Sequence, residues 1–553
     1  MGSRREPWWR RPTSSELERL LHPSALYRDF LNAPERVRRF YPVDYRNPAS
    51  CVGAGAARDY PPSRRADMAS ILKRQAERWG FLEASRRSLD RFARPDTLVV
   101  VAGQQPGLFG GPLYTLYKAI TAIAFARDLE AATGRPVVPI FWIASDDHDF
   151  EEVRRIIVGD GAAEPREFEY PLGAAPRGVS LSRIPLADPI ADLVRGVDEA
   201  LAPAGFRKEV VDRLRGSYAP GSGWIDAFAR LAGGWVVPWG ALVFDPGDRD
   251  AKRLALPVFE REIELGGRSS EAARSTGAEL EAAGYHAQIT RTGQELNLFW
   301  HGEIREALRL SGDGTLRLAE SGRALASREL LANARKRPED VSPGVLLRPL
   351  MQDHIFPTAA YVGGPAEVAY WAQVNALYPL FGMNPPAIVP RAGATILEPR
   401  VAKTLERFGV EWSSLAGDVE VVIREALSRF LPVDFPALFE RERSGWIESM
   451  RRLEAAVTSF DPSLQAAVET ATGKVIHEGQ VLEKKLMQVW KRRHEESVQK
   501  IRRARGSLFP RAGLQERGMS ILGYEAHHGP GLIEELREKV TKPGAHVLVS
   551  VGG

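Results

Sequence analysis

A single cysteine, Cys51, stands in a chain of 553 residues, so no internal disulfide can form. Such usage suits a reducing cytoplasm, which is the expected location. Cys51 lies in a Gly/Ala-rich segment and reads as an incidental small residue. Long hydrophobic runs are missing too. The longest, such as Ala119–Ala126 and Val137–Ala144, are eight residues, against the ~20 that a membrane-spanning helix needs. The paired arginines of MGSRREPWWRRP are followed by no apolar run, so no secretory signal is expected. No membrane partner is expected. Charge of one sign is also lacking: 75 Lys and Arg face 71 Asp and Glu, leaving +4. Nucleic-acid binders concentrate their basic residues, whereas these are interspersed with acids, so no nucleic-acid partner is expected. What the chain does have is 44% hydrophobic and 26% charged residues, enough for more than one core.

The texture changes along the chain. Residues 1–95 read as a mostly helical, charged segment. At 96–160 the pattern becomes α/β. Thr97–Ala102 is a continuous apolar, β-branched run typical of a buried parallel strand, and GQQPGLFGGPLYTLYK (Gly103–Lys118) follows it. Leu113, Leu116, Tyr117, Ile120 and Ala124 then recur at helical spacing, predicting an amphipathic helix to about residue 132 that Thr133-Gly134 stops. Val137–Ala144 is a second buried strand. This β–loop–α–β unit marks a doubly wound sheet. Residues 161–235 pattern less regularly and read as an inserted subdomain. The core continues at 236–284 with Ala241–Phe244 as a strand. A second insertion spans 285–345, where Gly312-Asp313-Gly314 predicts a hairpin turn. The core closes over 346–425, with strands at Thr358–Gly363 and Pro386–Val389.

From 426 to 510 the pattern is coiled coil. Phe439, Trp446, Met450, Leu453, Val457, Phe460 and Leu464 follow one another at 7, 4, 3, 4, 3 and 4 residues, a heptad seam. Asp461-Pro462 starts a second helix expected to run to about Arg505, roughly 60 Å at ~1.5 Å per residue. A helix that long pairs with a partner or folds back on its own chain; the reading favoured here is a homodimer. Residues 511–553 form a tail expected to pack back on the core.

In doubly wound sheets ligands bind at the carboxyl ends of the strands. There the chain places Gly103, Gln104, Gln105, Gly110, Gly111, Tyr114 and Lys118. The glycines permit close backbone approach, and the N–H groups at the start of the helix favour an anion. Pro112 suits its first turn. Lys118 lies off the apolar face, able to meet an anion or simply to be solvated. A second junction, Gly363-Gly364-Pro365, repeats the first, with Glu367 in the first turn of its helix. Glu367 either compensates the helix dipole or holds an ammonium group. Ser145-Asp146-Asp147-His148-Asp149 ends the second strand. His148 there is a candidate general base, with an adjacent aspartate fixing its tautomer. Contiguous acids seldom wrap one ion, and no spaced histidine pair accompanies them, so no metal ligand is assigned. Arg348 and Arg391 border strand-like segments and could clamp a carboxylate or form ordinary ion pairs.

GQQPGLFGGPLYTLYK, VPIFWIASDDHDFEEV, RPLMQDHIFPTAAYVGGPAEVAYWAQV and PPAIVPRAGATILE together resemble the BshC family, the cysteine-adding ligases of bacillithiol biosynthesis. The resemblance runs from the N-terminal region to SLFPRAGLQER. It implies a Rossmann-like core with two inserted connecting subdomains and a dimerising coiled coil. It implies that the carboxyl group of L-cysteine is joined to the amine of glucosaminyl malate. In that frame Asp146, Asp147 and His148 are the candidate catalytic residues, His148 with Asp147 doing acid/base work. Gly103–Gly111 are assigned to oxyanion stabilisation, Asp146 or Glu367 to the cysteine ammonium, and Arg348 or Arg391 to the malate carboxylates. A carboxylate needs activation before it acylates an amine, and ATP is the economical activating cofactor. Similar nucleotidyltransferases carry an H-x-G-H signature, and Phe109-Gly110-Gly111-Pro112 stands in its place without either histidine. A nucleotidyltransferase-like enzyme joining another acid and amine, and a non-catalytic coiled-coil dimer, are the competing readings.

Overall fold

The computed structural model describes residues 15–159, 165–174, 178–201, 203, 205–292, 294–311, 315–430 and 435–552. Its core is one sheet of five strands: β1 (Leu98–Gln104), β2 (Val137–Ile143), β3 (Leu242–Phe244), β4 (Thr358–Gly363) and β5 (Ala387–Pro390). They run in the order β5-β4-β1-β2-β3, and every adjacent pair is parallel. Each residue of β1 and β2 is buried, which is why both read as unbroken apolar runs. The order reverses between β1 and β4, making a switch point at their carboxyl ends. Register keeps those ends level: Gln104 lies opposite Ile143, Ala102 opposite Val362, and Gly363 opposite Pro390. The loops that follow β1, β2, β4 and β5 therefore leave the same edge of the sheet.

Helix α1 (Leu113–Thr133) joins β1 to β2 and ends at Gly134, which takes the left-handed conformation (φ 68°) and donates to the Glu130 carbonyl. Pro112 occupies the N-cap, one position ahead of the first helical turn. The helix is enclosed and not amphipathic. Lys118 and Thr121 are buried with its apolar residues, because helices Pro48–Ala56 and Trp224–Val236 and the turn Gln515–Gly518 also pack on it. Cys51 is buried below the sheet, and burial pushes its thiol up to about 12, leaving it inert at neutral pH.

Between β2 and β3 the chain forms a small antiparallel pair, Arg155–Val158 with Arg166–Glu169, and a run of helices ending in Trp224–Val236. After β3 comes the short helix α2 (Arg249–Leu254), two longer helices, and a five-stranded antiparallel sheet that includes Glu295–His301, Arg305–Leu310 and Val341–Pro343. Leu310 pairs with Leu316 across the expected hairpin; its turn, Gly312-Asp313-Gly314, lies outside the described residues. Helix α3 (Arg348–Ile355) precedes β4, and α4 (Pro365–Val374) follows it. The C-terminal segment returns to the core, with Leu113 N–H donating to the Met519 carbonyl at 2.8 Å.

A second compact unit is made by the described residues of 397–513 together with residues 15–18. Within it α5 (Phe435–Phe460) and α6 (Gln465–Arg493) form a hairpin. Asp461 caps the turn through Ser463 N–H, with Pro462 in the first position, as the sequence predicts. Trp446 of α5 rests on Gly479 of α6, and Arg443 pairs with Glu483 at 3.3 Å. The expected continuous helix to Arg505 is interrupted at His494, which leaves helical geometry (φ −115°, ψ 28°). Its ring nitrogen approaches the Trp490 carbonyl at 3.1 Å, a side-chain intrusion into the helical ladder. Helix α7 (Glu495–Leu508) follows, so α6 is about 43 Å long. Among the described residues no helix is long and apolar enough to cross a membrane.

Candidate active site

A cavity of about 550 Å³ opens at the carboxyl ends of β1, β2 and β4, at the switch point. It is of the size and placement usual for small-molecule sites. Gly103, Gln104 and Gln105 line it from the end of β1, Tyr114 and Lys118 from α1, and Asp146, Asp147 and His148 from the end of β2. Arg348, Gly364, Glu367 and Arg391 complete the set brought together from the sequence. Gly110, Gly111, Asp149 and Gly363 do not line it. Asp149 instead caps the turn Phe150–Val153 by accepting from Glu152 N–H.

The first Gly-Gly-Pro junction is closed to an anion. Gly110 N–H donates to the Tyr218 hydroxyl at 3.3 Å, Gly111 N–H to the Leu108 carbonyl at 3.0 Å, and Leu113 N–H to Met519. The role expected for Gly110 and Gly111 fails because their donors are already used inside the protein. Phe109 is buried edge-on to Tyr218 at 5.0 Å.

The second junction is part of the cavity wall. Glu367 accepts from Tyr361 Oη at 2.5 Å through one oxygen and from Gly364 N–H (2.9 Å) and Lys118 Nζ through the other. Lys118 also donates to the Gly103 carbonyl. Burial alone would raise the Glu367 pKa; the Lys118 charge, together with the hydrogen bonds from Lys118, Tyr361 and Gly364, outweighs it and holds the carboxyl below its usual range. Both carboxylate oxygens are thus occupied, so Glu367 does not offer itself to a substrate ammonium: its ammonium partner is Lys118. Lys118 is correspondingly a buried structural cation and not a solvated one.

The two candidate clamps separate. Arg391 is buried in an ion pair with buried Glu516 at 2.5 Å. Arg348 hydrogen-bonds only to neutral groups, the hydroxyls of Tyr361 and Tyr370 at 3.3 Å and the side-chain amide oxygen of Gln352 at 3.2 Å, while the Glu367 carboxylate acts on it through space. It keeps its charge for a ligand.

The end of β2 is organised by residues far away in sequence. Asp245, at the end of β3, is fixed through its backbone by the Gln75 side chain at 2.9 Å in both directions. Asp245 then accepts from Ser145 Oγ. The Asp245-Pro246 bend leads to α2, whose Lys252 is buried and pairs with Asp146 at 2.5 Å. Asp146 is therefore committed to Lys252. Asp147 accepts the His148 and Asp149 backbone N–H groups through Oδ1 (2.7 and 3.3 Å) and Gln105 Nε2 through Oδ2 (2.7 Å). Gln105 Nε2 also donates to Glu152 at 2.8 Å. The aspartate expected to fix the His148 tautomer does not: Asp147 Oδ1 stands 3.7 Å from Nδ1, beyond a hydrogen bond. Arg305 Nη1 holds that nitrogen at 2.9 Å.

Arg305 comes from the second insertion, which also supplies Arg291, Phe299, Gly344 and Val345 to the wall. Neither Lys252 nor Arg305 is marked out by any local pattern in the sequence. The available signal is a cation at a buried phase: Arg305 opens a strand whose first two residues are both buried. The cavity wall carries Lys118, Arg291, Arg305, Arg348, Arg391 and Arg517 against Asp146, Asp147, Glu152 and Glu367, an excess of two positive charges that suits an anionic ligand. Among the described residues no group of three or more His, Cys, Asp or Glu is arranged to hold a metal.

Comparison with known proteins covers nearly the whole chain. Residues 14–392 match the family description "Bacillithiol biosynthesis BshC, N-terminal Rossmann-like domain", and residues 394–550 match its "C-terminal coiled-coil domain". A protein of Salinibacter ruber named "Putative cysteine ligase BshC" is 36% identical over 95% of this chain and 96% of its own length. Proteins of the same name from Chlorobaculum tepidum and Koribacter versatilis are each 31% identical, over 92% and 98% of this chain and 93% and 100% of their own lengths.

Proposed function

The chain belongs to the BshC family of bacillithiol biosynthesis, Rossmann-like core and coiled coil together, and from that premise we propose that it is an amide-forming ligase. It joins the carboxyl group of L-cysteine to the amine of glucosaminyl malate, giving bacillithiol. The observation that carries this reading is Arg348: a cation at the switch point, among neutral partners, facing a net positive cavity. A malate group brings two carboxylates, and a guanidinium binds a carboxylate through paired N–H donors. Across the cavity Glu152, held by Gln105 through one oxygen, is the carboxylate proposed for the cysteine ammonium, with the Asp147 charge on the far side of Gln105. Asp146 and Glu367 are left to hold Lys252 and Lys118 in place.

The cysteine carboxylate needs a better leaving group before the amine attacks, and ATP is the proposed co-substrate that supplies it. The first Gly-Gly-Pro turn does not fit a triphosphate, since its N–H groups are taken by Tyr218 and Leu108. The coiled-coil hairpin is proposed to dimerise: Leu453, Phe460, Leu464, Leu482 and Val489 are exposed, Phe460 by 89%, and such a seam favours a partner.

Mass spectrometry of the purified chain with cysteine, glucosaminyl malate and ATP tests the reaction, with ATP omitted in parallel. The amide product in the complete mixture alone is the expected result. Product without ATP overturns the activation step, and no product under either condition overturns the ligase reading. Sedimentation at micromolar concentration tests the dimer, with Leu482→Glu expected to shift it to monomer.

A further inference from the structure

His148 lines the cavity, yet the group on its Nδ1 is a cation. Arg305 Nη1 lies 2.9 Å from that nitrogen. A guanidinium has five N–H donors and no lone pair to offer, so Nδ1 must be the acceptor. In a neutral imidazole with Nδ1 accepting, the proton sits on Nε2. Arg305 cannot swing away to release it. Its Nε donates to Ser342 Oγ at 3.1 Å and its Nη2 to the Pro343 carbonyl at 3.2 Å. Its guanidinium carbon lies 3.6 Å from the Phe299 ring centre. Ser342 Oγ is braced in turn by His301 Nε2 at 2.6 Å, and burial, aided by Lys252 and Arg305, holds His301 down to about 2 and so neutral. No protein group among the described residues occupies His148 Nε2.

We propose that His148 acts as a neutral hydrogen-bond donor, through Nε2–H, to the oxygen that gains negative charge on the reacting carboxyl group, and that Arg305 is the positioning residue that fixes this tautomer. The ring neither takes nor gives up a proton. A neutral imidazole can polarise a carbonyl in this way, and a fixed donor aimed at developing charge needs no reorganisation during reaction. The charged groups around the ring are Arg305, Asp147, and the Lys252–Asp146 pair; none but Arg305 reaches Nδ1. The arrangement also gives the second insertion a task, since it delivers the residue that sets the histidine. The inference rests on the ligase reading for its substrate, while the tautomer stands on the geometry alone.

Two measurements on the full chain test it. In the ligation assay His148→Ala is expected to lower kcat by ~10²–10³-fold, the usual cost of losing one such donor. His148→Gln carries an amide N–H near the Nε2 position but is no base, and it should recover at least about tenfold of that loss. His148→Gln as inactive as His148→Ala overturns the donor role in favour of a base. Independently, nitrogen NMR of histidine-labelled protein should show His148 as the Nε2–H tautomer. Arg305→Met should lose that signature and lower kcat with little change in the KM for cysteine, and Arg305→Lys should restore both in part. An Nδ1–H signal in the unaltered chain overturns the proposal. Absence of any ligation would sink the reaction assigned above and leave the tautomer result to decide the geometry.

Discussion

The two Gly-Gly-Pro junctions end adjacent parallel strands, β1 and β4, and share three residues, yet they do opposite things. At the first, Gly110 has φ 86° and its missing Cβ leaves room for Trp235, whose ring would lie 2.5 Å from a methyl there. That turn packs inward, and Tyr218, Leu108 and Met519 take its backbone donors. At the second, Gly364 is extended (φ −73°, ψ 173°) and caps α4 at the cavity wall, with Glu367 returning to its N–H. The same tripeptide is a core closure in one place and a site wall in the other. What decides is whether helix and loop neighbours close over it. Lys118 ties the two together, since it grows from the helix after the first junction and pairs with Glu367 after the second.

Breaking that tie has the largest expected effect. Lys118→Met leaves the half-buried Glu367 without its cation; loss of one partner from a fully buried pair costs ~3–5 kcal/mol, and the partial exposure of Glu367 puts the loss near the lower end, measured by denaturant unfolding at neutral pH. The pH dependence has a definite sign. The folded pKa of Glu367 is lowered, so its contribution is present above the unfolded value near ~4.3 and is lost as pH falls through the lower folded value. The gap between parent and variant should therefore narrow in acid. Next, Gly110→Ala forces a side chain into positive φ and against Trp235, for a loss of about 2–4 kcal/mol in stability. Gly364→Ala is the contrasting case. Its Cβ would meet Glu367 and Arg391 at 3.5 and 3.6 Å, ordinary contact, so stability should change by less than ~1 kcal/mol and the KM of the acidic substrate should move instead. Equal destabilisation by the two alanines would break the comparison.

Much of the core was legible because buried parallel strands leave an unmistakable trace. Thr358–Gly363 is a strand with the bounds its pattern predicts, and β1 extends only two residues beyond Ala102. The Asp146–His148 cluster and Gly103–Gln105 meet at one edge because strand ends in such sheets must. Less legible was the use each side chain makes of its neighbours. Lys118 looks solvated on a helical wheel, and only the elements packed over α1 bury it. Asp146, Asp147 and Glu367 look available in sequence, but Lys252, backbone N–H groups and Lys118 claim them. Lys252 and Arg305 act on the end of β2 across about a hundred residues or more, a distance no local pattern spans. The coiled coil shows the same limit. Its heptads predicted apolar packing, which the α5–α6 hairpin supplies within one chain while leaving Phe460 and Leu482 exposed.

Central to the account is an acidic substrate held at the switch point by Arg348. Calorimetric titration of glucosaminyl malate into the unaltered chain and into Arg348→Met measures this directly, with melting temperature as a control for folding. A charge-assisted contact is worth ~1.5–3 kcal/mol, so Arg348→Met should bind about 10- to 100-fold more weakly while melting close to the parent. Equal affinity in the two chains, both folded, would contradict it.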